Sequence, residues 1–214
     1  MKKCAIIAGG DMPDREPYNT EGYWDGFGCI ICADSGLYNA RRFGIKPDIV
    51  TGDFDSFTEK LPDDAEVIAS IPEKDDTDTL MAVKKAIELG YKSIELYGAL
   101  GGRRFEHSIA NIQTMIYALQ QGCDLRILGD SVLTVQSPDD GDVTYKSGGR
   151  SIYISVFALS ESIGIDYLRG VKYPLEDYLM VQSFPIGVSN EIVGGKASLR
   201  INHGLALIIL TDKE

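Results

Sequence analysis

Short apolar runs and longer helical patterns alternate along the first 130 residues of the chain. Continuous apolar runs of this length are typical of strands buried on both faces of a parallel sheet. They occupy residues 4–8, 28–33, 48–52, 65–71, 93–100 and 125–128. Helical periodicity lies between them, at residues 37–43, 79–89 and 106–121. This alternation predicts a doubly wound, mostly parallel α/β sheet.

The two longer helices carry apolar residues at helical spacing, which predicts the face that each packs against the sheet. In the first, the apolar stripe contains Leu80, Val83 and Ile87, with Met81 and Ala86 offset, and Thr77 or Asp78 is the predicted N-cap. In the second, the predicted apolar stripe is Ile109, Ile112, Ile116 and Leu119, and a polar stripe contains His107, Asn111 and Thr114.

The pattern changes after residue 130, where short β-rich segments are separated by Gly, Pro and Asn. The segments lie at residues 143–145, 151–157, 164–168, 197–201 and 205–210. Such spacing predicts a small antiparallel β-sandwich. We therefore expect an α/β domain over residues 1–130, followed by an all-β domain over residues 131–214.

Acidic residues are concentrated at two places in the predicted α/β domain. Asp53 and Asp55 stand two apart after a strand, so on an extended backbone both side chains leave from the same face. Asp75, Asp76 and Asp78 come immediately before a helix. Either cluster alone is typical of a solvated loop or a helix cap, but together these carboxylates would repel one another without a cation. The convergence therefore predicts a Mg²⁺ site.

A glycine and arginine turn, Gly101-Gly102-Arg103-Arg104, opens the last predicted helix of this domain. Backbone N–H groups at such a turn, together with an arginine fork, suit a phosphate group. The turn is weak evidence by itself, since it is neither a Walker P-loop nor a G-x-G-x-x-G motif. It does lie beyond the carboxyl end of a strand, where doubly wound sheets bind ligands.

Charge and composition exclude several classes of partner. The chain has 214 residues, a formal charge of -11 and a pI near 4.7, which argues against a nucleic-acid backbone as ligand. No apolar run approaches the length of a membrane span, and the run after Met1-Lys2-Lys3 is too short for a signal peptide. Cys29 and Cys32 have C-x-x-C spacing without a second pair, so we interpret them as structural. We expect a cytoplasmic protein with no membrane partner.

The motifs together resemble those of the thiamine pyrophosphokinase family. The matching pieces are Ala33 to Gly36, Pro47-Asp48 with Gly52 to Ser56, Lys74 to Asp78, Gly98 to Asn111, and Ser189-Asn190-Glu191. The resemblance implies transfer of the diphosphate of ATP to the hydroxyl of thiamine, an α/β nucleotide domain followed by a β-sandwich, and a homodimer that shares its active sites.

The resemblance also implies roles for particular residues. Catalysis and Mg²⁺ binding would belong to Asp53, Asp55, Asp75 and Asp78. Nucleotide binding is expected from Asp34, Ser35, Thr77, Gly101, Gly102, Arg103, Arg104, His107 and Asn111, and thiamine binding from Ser189 and Asn190.

One stretch departs from the family pattern, which is roughly G-G-R-x-D-H-x-x-x-N. This chain reads G-G-R-R-F-E-H-S-I-A-N, with one extra residue and with Glu106 in place of the usual Asp. Either Arg103 or Arg104 therefore stands where the family has its arginine. Two other functions remain open from the residues: a metal-dependent phosphohydrolase, and a non-catalytic sensor of nucleotide or thiamine.

Overall fold

The computed structural model describes residues 2–13, 15–53, 60–69 and 76–213. The chain divides into two compact units, residues 1–129 and residues 130–214. None of the helices within the described ranges is long and apolar enough to cross a membrane.

The first unit is built on parallel strands, and its short apolar runs form them. The strands are β1 (Cys4–Ile7), β2 (Cys29–Ala33), β3 (Ile49–Gly52), β4 (Glu66–Ala69), β5 (Ser93–Tyr97) and β6 (Asp124–Leu128). The helices are α1 (Gly36–Arg42), α2 (Asp78–Glu88) and α3 (Phe105–Gln120). The strands are ordered β6-β5-β1-β2-β3-β4, and β1, β2 and β3 are almost completely buried.

The strand order makes this sheet doubly wound, as the sequence predicts. From β1 the chain steps outward through β2, β3 and β4, then returns to β5 on the other side of β1 and moves outward to β6. Right-handed crossovers in opposite directions place α1 and α3 on opposite faces of the sheet. Helix α2 contacts α3 and so covers the same face.

The buried faces of the long helices agree only in part with the predicted ones: Val83 and Ala86 of α2 are buried as predicted. In α3 the buried residues are Ser108, Asn111, Thr114, Met115 and Ala118, whereas Ile109 is 45% exposed. In α2 the buried stripe is Thr79, Ala82, Val83 and Ala86, while Leu80 and Ile87 are only half-buried. Small residues dominate both stripes because they let a helix backbone approach the sheet closely. Apart from Val83 and Met115, the larger apolar side chains of these helices flank the contact or face outward.

An aromatic cluster covers one face of the central strands and has no counterpart in the predicted pattern. Tyr18, Tyr23, Trp24 and Phe27 pack edge-on or stacked around Tyr97, at centroid distances of 4.9 to 6.3 Å. The Tyr97 hydroxyl donates to Glu95 at 2.7 Å, and Glu95 also pairs with Lys3. Burial raises the pKa of Tyr23 to about 12.

The cysteines of this unit are structural, as predicted. Each is free and buried, and burial raises the pKa of Cys32 to about 12 and that of Cys123 to about 11. Cys4 and Cys29 face each other across β1 and β2, and their mutual hydrogen bond raises the pKa of Cys4 and lowers that of Cys29.

The second unit contains antiparallel sheets. Its strands are β7 (Ser131–Gln136), β8 (Val143–Lys146), β9 (Ile152–Ala158), β10 (Ser162–Arg169), β11 (Leu175–Val181), β12 (Asn190–Glu191), β13 (Lys196–His203) and β14 (Ala206–Asp212). One sheet has the order β12-β9-β14-β7 and the other β11-β10-β13-β8. Apolar side chains from both form a single core, which includes Ile154, Ile165, Leu199 and Ile208. Strands β7, β11 and β12 were not predicted.

Candidate active site

A cleft opens at the carboxyl edge of the parallel sheet, between β1 and β5. At this point the chain leaves neighbouring strands in opposite directions, which is where open α/β sheets bind ligands. The cleft is lined by Ala8, Gly9, Gly10, Ala33, Asp34, Ser35, Asp78, Thr79, Gly98, Ala99, Gly101, Gly102, Arg103, Arg104, His107 and Asn111. Most of the residues predicted to bind nucleotide are therefore brought together here.

Glycines allow the loops at this edge to pack against one another. A Cβ atom at Gly10 would stand 2.5 Å from the Leu100 carbonyl oxygen, and one at Gly98 would overlap the Ala8 carbonyl. Gly98 also has a φ of 62°, a conformation that strains residues with a side chain. The loops after β1 and β5 continue the pairing of their strands through Gly10 N–H, which donates to the Gly98 oxygen at 2.7 Å.

Two asparagine side chains donate hydrogen bonds to backbone carbonyl groups of the loops that line the cleft. The Asn39 amide donates to the carbonyl oxygens of Ala8 and Gly10, at 2.8 and 2.9 Å. The Asn111 amide, which is only 4% exposed, donates to the Ala99 oxygen at 2.8 Å. Asn111 was predicted to bind nucleotide, and its amide nitrogen is engaged in fixing the β5–α3 loop. The sequence does not single out Asn39, because an asparagine inside a helix gives no signal of its partner.

Asp34 adopts a left-handed backbone conformation at the carboxyl end of β2. Its φ is 44°, a costly value for a residue with a side chain and one that concentrates at functional sites. Its N–H donates to the Thr51 oxygen at 2.7 Å, and a Cβ at Gly52 would stand 3.1 Å from its Cα. Gly52 thus makes room for Asp34, whose side chain lines the cleft.

The two arginines of the turn have different surroundings. Arg104 Nε donates to Glu106 at 2.8 Å, and this hydrogen bond lowers the pKa of the Glu106 carboxyl. Among the residues that the structure describes, Arg103 makes no ion pair or side-chain hydrogen bond. The backbone N–H of Gly102 donates to Asp11 at 3.2 Å.

The acidic clusters are only partly within the described ranges. Asp53 is half-buried directly after β3 and is not among the residues that line the cleft, whereas Asp78 lies in the first turn of α2 and does line it. Asp55 and Asp75 lie outside the described residues. Within the described ranges, no three His, Cys, Asp or Glu side chains are grouped so as to hold a metal ion.

Thr77 and Asp76 have partners within the protein. The Thr77 hydroxyl accepts the Leu80 N–H at 3.2 Å and is the N-cap of α2, which settles the choice between Thr77 and Asp78. Thr77 does not line the cleft. Asp76 accepts a 2.5 Å hydrogen bond from Lys84, which raises the pKa of the Lys84 ammonium.

The polar segment of the second unit is organised around Asn190. Its side-chain oxygen accepts the Tyr173 N–H at 3.0 Å, and its amide nitrogen donates to the Tyr173 oxygen at 2.7 Å. Ser189 has a φ of 56° and donates its backbone N–H to the Ser155 hydroxyl at 2.9 Å. Asn190 therefore fixes the backbone of Tyr173, whose side chain is 63% exposed.

Comparison with known proteins assigns the chain to a family. The model of the thiamin pyrophosphokinase catalytic domain matches residues 20–127, and that of the thiamin pyrophosphokinase vitamin B1 binding domain matches residues 143–206. The chain belongs to the thiamin pyrophosphokinase family. The two matches fall in different compact units, and the catalytic match contains most of the cleft.

Relatives of the thiamin pyrophosphokinase family match the chain along its whole length. A thiamine pyrophosphokinase of Bacillus subtilis strain 168 is 29% identical over 214 residues, which cover 98% of each chain. The crystal structure of thiamine pyrophosphokinase from Bacillus subtilis has a TM-score of 0.87 at 27% identity and full coverage of both chains. That of thiamin pyrophosphokinase from Geobacillus thermodenitrificans has a TM-score of 0.81 at 27% identity, covering 99% of this chain and 98% of the other.

Proposed function

We propose that the protein is a thiamine pyrophosphokinase, which transfers the diphosphate of ATP to the hydroxyl group of thiamine and releases AMP. The thiamine hydroxyl oxygen forms a bond to the β-phosphorus, the bond from that phosphorus to the α,β-bridging oxygen breaks, and the hydroxyl proton is released. The observation that carries the proposal is the match of both family domains, with the catalytic one placed over a polar cleft at the switch point of the sheet.

The cleft suits the polyphosphate of a nucleotide. Gly101 and Gly102 present backbone without side chains, and Arg103, Arg104 and His107 line the same space. We assign the phosphate contact to Arg103, because Arg104 already pairs with Glu106. Within the described ranges the Arg103 guanidinium has no ion pair or side-chain hydrogen bond, so it is available for bidentate hydrogen bonds to phosphate oxygens. Positioning and charge neutralisation supply most of the rate in phosphoryl transfer, so such contacts serve catalysis as well as binding.

The residues of this edge are chemically suited to Mg²⁺. Magnesium in nucleotide sites takes one or two carboxylates together with substrate phosphates and water, so it does not need three protein ligands. Asp78, at the cleft, and Asp53, at the end of β3, supply oxygen donors from the carboxyl edge of the sheet. We propose that they hold the ion together with Asp55 and Asp75. When bound, Mg²⁺ offsets the negative charge of the phosphates during transfer.

We assign ATP and Mg²⁺ to residues 1–130 and thiamine to residues 131–214. In the second unit, Ser189 and Asn190 are the proposed thiamine-binding residues. Asn190 acts through the backbone of Tyr173, which it holds by a pair of hydrogen bonds. The exposed ring of Tyr173 suits the aromatic and cationic character of thiamine.

We further propose that the protein is a homodimer. Near the thiamine residues the single chain exposes several large apolar side chains: Tyr173 at 63%, Leu179 at 63%, Phe184 at 60%, Ile186 at 54%, Val188 at 51% and Val193 at 56%. Large exposed apolar side chains concentrated in one part of the chain, residues 173–193, favour a protein interface there. Sedimentation of the purified protein tests this directly, and Phe184→Asp is expected to shift the mass toward the monomer. A monomeric wild type would contradict the proposal.

The proposed location is the cytoplasm. Reducing compartments keep thiols free, and each cysteine of the chain is free and buried.

A chromatographic assay tests the reaction. The purified protein is incubated with ATP, Mg²⁺ and thiamine, and AMP, ADP and thiamine diphosphate are resolved, with EDTA and no-thiamine controls. We expect thiamine-dependent AMP and thiamine diphosphate, both lost with EDTA. ADP with thiamine monophosphate would mean that the γ-phosphorus is attacked. Phosphate or diphosphate release without thiamine would indicate a hydrolase, and binding without any product would indicate a sensor.

A further inference from the structure

Asp11 bonds to the glycine turn on both sides of Gly101. It follows Gly9-Gly10 at the end of β1, and its backbone N–H donates to the Leu100 oxygen at 2.9 Å. Its carboxylate Oδ2 accepts the N–H of Gly102 at 3.2 Å. Asp11, in the loop after β1, is therefore hydrogen-bonded to the backbone of the residues immediately before and after Gly101.

The side chain of Asp11 also lies directly against Gly101. A Cβ atom at Gly101 would overlap Asp11 Oδ2, whereas the nearest atom to a Cβ at Gly102 would be the Gly10 Cα, at 3.8 Å. Both glycines have left-handed φ values, 71° and 74°. The missing side chain at Gly101 is thus explained by Asp11, while Gly102 is open on the side of the cleft.

A turn of two consecutive glycines needs an external restraint if it is to be rigid. Glycine has the greatest backbone freedom of any residue, and a mobile turn must be ordered when ligand binds, at a cost in affinity. This turn leads directly into Arg103, which we assign to the phosphates. We infer that Asp11 is a positioning residue, which clamps the Gly101-Gly102 turn in the form that receives the nucleotide phosphates. The inference rests on the proposed function for its ligand.

The clamp uses Asp11 as a hydrogen-bond acceptor, and its negative charge is not required. An asparagine at position 11 offers the same acceptor oxygen, so Asp11→Asn keeps the clamp, whereas Asp11→Ala removes it. If Asp11 instead bound Mg²⁺, Asp11→Asn would be as weak as Asp11→Ala, since an amide is a much poorer ligand for a hard cation than a carboxylate. The pair of substitutions therefore separates positioning from metal binding.

The test measures ATP binding by calorimetry and steady-state kinetics on the full-length variants. Losing one hydrogen bond that orders the turn should raise the ATP Kd and KM of Asp11→Ala by about threefold to tenfold. Its kcat and thiamine KM should change by less than about twofold, and Asp11→Asn should stay close to wild type in every constant. Asp139→Ala, an exposed aspartate of the second unit, controls for the loss of a surface charge.

Amide hydrogen exchange at Gly102 gives a readout that needs no ligand. The Gly102 N–H should exchange faster in Asp11→Ala than in wild type or in Asp11→Asn. Unchanged exchange and unchanged ATP affinity in Asp11→Ala would overturn the inference, as would an Asp11→Asn variant as weak as Asp11→Ala. If the wild type bound no ATP, the proposed function would fail, whereas the exchange rates would still show whether Asp11 restrains the turn.

Discussion

The nucleotide cleft of the first unit and the Ser189-Asn190 segment of the second differ in how complete they are within one chain. The cleft is enclosed by loops that glycines and two asparagines hold in place, and its charged side chains converge on one space. The Ser189-Asn190 segment lies on an exposed surface among large apolar side chains. The side-chain oxygen and nitrogen of Asn190 are both hydrogen-bonded to the backbone of Tyr173.

We therefore expect the two proposed substrates to be bound by different means. A rigid site whose groups are already positioned binds without ordering costs, which suits the charge-sensitive phosphate chemistry. A surface with exposed apolar groups requires another surface to complete it. The proposed homodimer would supply that surface, so we expect changes in the cleft to affect catalysis more strongly than changes at Asn190.

The largest effect is expected from Asp78→Asn, which removes a carboxylate from the cleft. If Asp78 helps to hold Mg²⁺, kcat/KM should fall by at least about 100-fold, since even residues that only support metal ligands are worth 10–100-fold. Asp53→Asn should behave in the same way. Thermal unfolding of both variants should stay near that of the wild type.

Asp76→Asn is the matched control for these variants. Asp76 belongs to the same acidic cluster, but its carboxylate is held by Lys84. We expect its kcat/KM to change by less than about threefold, because its carboxylate already has a partner in the protein and a partly exposed ion pair contributes little. Normal turnover in Asp78→Asn, or an equal loss in Asp76→Asn, would contradict the proposed assignment.

The second-largest effect is expected from Gly98→Ala, which disturbs the packing of the cleft loops. Gly98→Ala would strain a left-handed residue and push its Cβ into the Ala8 carbonyl, which should lower the free energy of unfolding by about 2–4 kcal/mol. Gly122→Ala is the control, since Gly122 has a similar φ of 67° but no atom within 4 Å of the added Cβ. Denaturant unfolding should show a loss of only about 1–2 kcal/mol for this variant. Equal losses would mean that strain alone, without the collision, determines the cost.

The third-largest effect is expected from Arg103→Ala, and comparison with Arg104→Ala shows which arginine of the turn binds phosphate. A charge-assisted hydrogen bond is worth roughly 1.5–3 kcal/mol, so Arg103→Ala should raise the ATP KM by about tenfold or more. Arg104→Ala should raise it much less, because its exposed pair with Glu106 contributes little. Initial rates at varied ATP measure both constants. A larger effect for Arg104→Ala would reverse the assignment.

The sequence predicts most of the strands but only part of the buried helix faces. Buried parallel strands are continuous apolar runs, and β1, β2 and β3 can be located from composition alone. On α3, Ile109 and its neighbours form a clear stripe, yet the helix packs through Ser108, Asn111 and Ala118. Close approach to the sheet favours small residues, and periodicity of large apolar side chains does not detect them.

The candidate site, too, could be predicted only in part from the sequence. Motif residues such as Asp34, Gly101 and Arg103 could be located because doubly wound sheets place strand ends together. Asp11 and Asn39 could not, because each acts through a backbone group far away in the chain. Glu106, which stands in place of the usual Asp of the family pattern, is explained only by the hydrogen bond that it accepts from Arg104.

The smallest effect is expected at Asn190, and it tests the exposed half of the comparison. Asn190→Ala removes both hydrogen bonds to the Tyr173 backbone, so the thiamine KM should rise severalfold while the ATP KM stays unchanged. Asn190→Asp is the matched variant, because it keeps the acceptor for the Tyr173 N–H but replaces the donor by a carboxylate oxygen, which the Tyr173 carbonyl oxygen repels. It should therefore also raise the thiamine KM. A change confined to the ATP KM would place Asn190 outside the thiamine site, and it would remove the distinction between a rigid nucleotide cleft and a separate thiamine surface.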